Sequence, residues 1–176
     1  LSGMGTALKT AAAATAAAVA GAATAIGALT TKAIEGYAAQ EQLVGGVETL
    51  FKTSSDTVVG YANDAYKTAG MSANEYMETV TSFSASLLAS MNNDTAAAAE
   101  KANVAITDMS DNANKMGTDI SLIQNAYNGF AKQNYTMLDN LKLGYGGTKE
   151  EMQRLLDDAS KLSGIKYDIS SYSDVV

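Results

Sequence analysis

Ser72 stands three residues ahead of Glu75, and behind them Tyr76, Val80, Phe83, Leu87 and Met91 follow at intervals of four, three, four and four residues. The first pair is a capping box, in which hydroxyl and carboxylate each satisfy an orphan backbone N–H of a first helical turn. The second pattern is one face of a helix with 3.6 residues per turn. Together they fix a helix starting at residue 73, and no proline anywhere in the 176 residues interrupts such elements. The pattern recurs, so the chain is expected to be all-α: a long Ala-rich N-terminal helix followed by about five shorter amphipathic helices.

The long helix is expected over residues 7–44, weakened by Gly21 and Gly27 and loosened or ended by Gly45 and Gly46. Thr53, Ser54, Ser55 and Asp56 offer caps to a second helix whose apolar side is Val58, Ala62, Ala65, Tyr66 and Ala69, stopped by Gly70. Asn92, Asn93 and Asp94 end the third helix and cap a fourth, which shows Ala98, Ala102, Ala105, Ile106, Met109, Ala113 and Met116 on one side and stops at Gly117. A fifth opens at Thr118 and is expected to bury Ile120, Ile123, Tyr127 and Phe130. A sixth opens with the box Thr148–Glu151, is expected to bury Met152, Leu155, Leu156 and Leu162, and closes at Gly164. Two regions follow: residues 1–52, the small-residue segment, and residues 53–176.

Within the first region AAAATAAAVAGAATAIGAL (11–29) sits in a stretch without charge between Lys9 and Lys32. Residues 10–31 make a helix of about 33 Å, long enough to cross a bilayer. Only Val19, Ile26 and Leu29 are strongly favourable in lipid, so an isolated copy inserts marginally at best. Ala17, Gly21 and Ala25 form a row of small residues that lets helices approach closely, which favours a protein-packed bundle. Three basic and three acidic residues balance within 1–52, so the whole net charge of −7 lies in 53–176 and opposes general nucleic-acid binding.

The chain has no His and no Cys, which removes the commonest general base, the commonest metal ligand and any thiolate. Adjacent carboxylates such as Glu150 and Glu151, or Asp157 and Asp158, diverge by about 100° on a helix. Asp108, Asp111, Asn112, Asn114 and Asp119 offer oxygens but lack the order, Gly and terminal Glu of an EF-hand, and read as a solvated helix face. Gly146, Gly147, Thr148 and Lys149 have the wrong spacing and order for a P-loop. No catalytic residue, cofactor or metal is expected, and the chain is read as not an enzyme. The loop Gly144, Tyr145, Gly146, Gly147 remains the one candidate interface, with positive φ or close backbone approach at its glycines. Tyr145 is either an anchor presented outward or a residue folded into its own core.

The runs MSANEYMETVTSFSASLL (71–88), AITDMSDNANKMGTDISLIQNAYNGFAKQNYTMLDNLKLGYGGTKEEMQRLL (105–156) and SGIKYDISSYSDVV (163–176) closely resemble tape measure proteins of long-tailed phages and prophages. The resemblance covers roughly residues 45–176 and is most specific in the second run. It implies a structural virion protein lying in the tail tube lumen in several copies, helping to set tail length during assembly and leaving ahead of the DNA to aid its passage through the host envelope. Implied partners are further copies of itself in threefold symmetry, tail tube proteins, tail tip or baseplate hub proteins, and a host membrane at infection. Family members are much longer, and the start at Leu1 and the stop at Val176 just after a helix-start signal fit a section of a longer chain. The alternative reading is a secreted helical membrane-inserting or pore-forming protein, which the uncharged segment and acidic amphipathic helices would also suit.

Overall fold

The structure, a computed structural model, describes residues 36–176. The chain divides into two units, Leu1–Gln42 and Leu43–Val176. Of the first, residues 36–42 are helical and exposed. The stretch holding Ala17, Gly21 and Ala25, with the expected Ala-rich helix before residue 36, lies outside the described residues.

The second unit is all-helical among the described residues. Residues 43–51 are helical (α1), and a 3-10 turn, Lys52–Ser54, leads into α2 (Ser55–Thr68); then come α3 (Ala73–Ser90), α4 (Thr95–Met116), α5 (Ile120–Phe130), a second 3-10 turn (Leu138–Leu141), α6 (Lys149–Ser163) and the short α7 (Tyr172–Val175). Short connections bring successive helices together, so α2 packs on α3, α3 on α4 and α4 on α5, while α7 returns to α3. Alanines 98, 102 and 105 of α4 are buried, and small residues at a helix contact permit close approach of the neighbouring helix.

The helix ends follow their local chemistry. Ser72 Oγ accepts from the Glu75 N–H at 3.3 Å, and the Ser72 N–H donates to Glu75 Oε2 at 2.7 Å. Asp94 accepts from the N–H groups of Ala96 and Ala97 at the start of α4, and Asp119, one residue beyond the expected Thr118, caps α5 through Ser121. Gly70, Gly117 and Gly164 adopt φ of 63°, 61° and 73°, the left-handed conformation that closes a helix. Replacing Ser72 with Ala should cost about 1 kcal/mol, read by urea unfolding at constant m.

Several sequence expectations are corrected. Gly45 and Gly46 do not end α1, which continues to Phe51; a Cβ at Gly46 would lie 3.6 Å from Thr81 Cγ2, and Val47 and Phe51 one turn on are fully buried. Helix α3 buries Met77, Thr79, Ser84 and Leu88 as well as the expected face, because α2, α4, α5 and α7 all pack on it. Its buried hydroxyls are satisfied within the helix, Thr79 on the Glu75 carbonyl and Ser84 on that of Val80. Tyr66 is 64 % exposed because Val58, Ala62, Ala65 and Ala69 already form the buried stripe and Tyr66 falls at its edge. Leu162 is 91 % exposed: it shares the edge position of half-buried Leu155, two turns beyond the Met152–Leu156 contact with the core.

Candidate functional site

The loop after α5, whose sequence shows no helical period, is held by specific hydrogen bonds and one 3-10 turn. Asn134 Oδ1 accepts from both the N–H and the hydroxyl of Thr136, at 3.1 and 2.8 Å, forming a local turn. The 3-10 turn that follows buries Leu138 and Leu141. Asn112 of α4 donates to the Leu141 carbonyl at 3.1 Å, so one residue of the expected solvated face instead ties α4 to this turn. Lys142 at φ 53° and Gly144 at φ 85° then reverse the chain towards α6.

Arg154, one turn into α6, organises the glycine loop. Its guanidinium reaches both oxygens of Glu151 (2.6 and 3.1 Å), donates to the Gly144 carbonyl at 3.1 Å, and lies 4.3 Å from the centroid of the Tyr145 ring. The Tyr145 hydroxyl donates to Asp158 Oδ2 at 3.0 Å, and Asp158 in turn accepts from Lys161 at 2.9 Å. The Gly146 N–H donates to Glu151 Oε2 at 3.1 Å. Glu151 therefore does not complete the expected box by returning to the Thr148 N–H; Thr148 Oγ1 caps the Glu151 N–H at 3.2 Å while the carboxylate turns to Arg154 and Gly146.

These contacts set the charges. The hydrogen bond from Arg154, helped by the Gly146 N–H, holds the Glu151 carboxyl below its ordinary value, and the Lys161 and Tyr145 bonds do the same for Asp158. A carboxylate whose folded pKa is depressed adds stability that is complete above its unfolded value and is lost as pH falls through the folded one. The expected result is a Tm flat above about pH 5 that falls on acidification through and below the ordinary values of 4.5 for Glu151 and 3.8 for Asp158. Arg154→Ala should flatten that acid limb, measured by thermal melts from pH 2.5 to 7.

The three glycines have different tasks. Gly144 supplies positive φ, whereas Gly147 passes so close to Thr136 that an added Cβ would overlap the Thr136 carbonyl oxygen and lie 2.8 Å from its carbon. Gly146 needs neither, since its Cβ would meet only Glu151 Cγ at an ordinary 3.7 Å. Tyr145 is half-buried and packs against the core of its own chain. Sequence reasoning missed Arg154; the available signal was its place three residues after Glu151 on a helix.

No nucleophile–base pair appears in this arrangement. Asp157 accepts from Gln153 and Asp158 from Tyr145 and Lys161, so the adjacent carboxylates serve different partners. Among the described residues no three acidic side chains gather as a metal site, and no helix is long and apolar enough to cross a membrane. The stretch 10–31 lies outside that statement. Compared with protein-family models, curated proteins and solved structures, the chain matches none.

Proposed function

We propose that this chain is a helical segment of a phage tail tape measure protein, a structural virion component that lies in the tail tube and leaves it ahead of the DNA. The observation carrying this reading is the order of residues 105–156, above all DMSDNAN, FAKQNY and GYGG, which helix-forming composition does not require. The capped helices and tied loop are compatible with a jointed helical region, so length measurement by an extended rod, at about 1.5 Å per residue, falls to other parts of such a protein. Copies associate, threefold in this reading, through the row Ala17, Gly21 and Ala25, and contact tube and tip or hub proteins. The segment acts without catalysis or a cofactor, and meets a host membrane only after ejection.

Electron microscopy of intact particles from the host strain tests the proposal. Density for residues 43–176 on the tail axis supports it; tails of normal composition and length from a strain lacking the gene overturn it. Leu at Ala17, Gly21 or Ala25 should disturb tail assembly, and normal tails from all three variants would remove the packing row.

A further inference from the structure

A cleft of about 640 Å³ opens where the α2–α3 turn, α3, the end of α4 and the start of α5 meet. Its polar wall carries the carboxylates of Glu75 and Glu78 from α3 and the amides of Gln124, Asn125 and Asn128 from α5, with Thr118 between α4 and α5. None of the residues lining it is Lys, Arg or aromatic. Among the described residues neither carboxylate has an ion-pair partner. Glu75 gives only Oε2 to Ser72, which leaves its second oxygen to accept. Gln124 spends an N–H on Thr79 Oγ1 at 2.8 Å, which leaves its carbonyl as another acceptor. The hydroxyl of Thr118 is shut off from solvent and so presents nothing to a ligand. Lys142 reaches the end of α4, but its ammonium is bonded to the Met116 carbonyl at 3.3 Å and does not line the cleft.

This inventory selects among ligand classes. An anion meets two carboxylates and no cation. An apolar ligand would cover Met71, Ala113 and Ile120 but would strip water from the carboxylates and amides without replacing their hydrogen bonds. A sugar ring finds no aromatic face on which to stack. A group that is both cationic and rich in donors satisfies the surplus of acceptors.

We propose that this cleft binds an alkylammonium or guanidinium group, supplied either by a Lys or Arg side chain of a protein partner or by a free polyamine. The proposal is independent of the phage-tail reading, because it rests on the cleft alone.

The test is a titration of the full chain, followed by NMR of the side-chain amides of Gln124, Asn125 and Asn128, with end-blocked tetralysine, with spermine and with glucose. Saturable shifts at these amides with either cation, and none with glucose, are expected. Tighter binding of the tetralysine peptide than of spermine, which carries the same number of ammonium groups, identifies a protein-borne side chain; equal or weaker binding identifies a polyamine. Because an acidic chain attracts cations everywhere, Glu78→Gln is compared with Glu100→Gln, which removes the same charge from an exposed position of α4 about 15 Å along the helix from Ser110. Both positions are exposed and leave the fold intact, checked by circular dichroism. Glu78→Gln should weaken binding roughly fivefold and Glu100→Gln should not. Equal loss in both variants, shifts spread over the surface, or no saturable shift with either cation overturns the proposal.

Discussion

Phe51→Ala is expected to destabilise the unit Leu43–Val176 by about 3–5 kcal/mol, the range for removing a fully buried aromatic ring. Phe51 is 0 % exposed, as is Val47 one turn earlier, and the 3-10 turn beginning at Lys52 packs on both α2 and α4. No neighbour can close the gap without moving one of those helices. At about 2–4 °C per kcal/mol the Tm of the full chain should fall by roughly 10 °C, measured by calorimetry. Tyr37→Ala is the matched control: Tyr37 is 65 % exposed, and its loss should stay within about 0.5 kcal/mol. A Phe51→Ala variant that melts within a few degrees of the parent would mean that α1 after Leu43 does not belong to the core.

That prediction also marks where sequence reasoning stops. Helix starts and ends were legible because their determinants are local: Ser72 with Glu75, Asp94 with the next two N–H groups, Gly117 and Gly164 in the left-handed region. The boundary near residue 45 was not, because the roughly 1 kcal/mol helix penalty of each glycine is local while the burial of Val47 and Phe51 that outweighs it is not. Periodicity showed one face of α3 but not the others, since a helix surrounded by neighbours hides Met77 and Leu88 too, and which neighbours surround it depends on the whole topology.

At the glycine loop the sequence indicated that special backbone was required, without saying which glycine required it. Arg154 and the Gly144 carbonyl are ten residues apart and meet only once the turn has formed, so no pattern along the chain announces the contact. The cleft on α3, α4 and α5 was equally hidden, because its carboxylates and amides lie some fifty residues apart and read singly as surface charge and helix polarity.

Alanine at each glycine of the loop should separate three physical causes within four residues. Gly147→Ala is expected to cost about 3 kcal/mol, the upper part of the range for forced overpacking. Its Cβ would overlap the Thr136 carbonyl oxygen and lie 3.1 Å from the Thr136 Cα, and this neighbour is backbone, which cannot rotate away. Nor can the segment retreat, because Asn134 Oδ1 holds Thr136 by two hydrogen bonds, and on the other side the Asn134 carbonyl oxygen lies 2.9 Å from the Cβ position of Gly129. Gly144→Ala meets open space but keeps φ at 85°, so its cost is the left-handed strain of roughly 1–2 kcal/mol. Gly146→Ala should change stability by no more than about 0.5 kcal/mol, since its contact with Glu151 is ordinary and its bond to that carboxylate comes from the backbone N–H. Urea unfolding of the three variants measures the order. If Gly147→Ala proves as mild as Gly146→Ala, the close passage of the loop against Thr136 is wrong, and with it the way residues 134–136 are held between α5 and the start of α6.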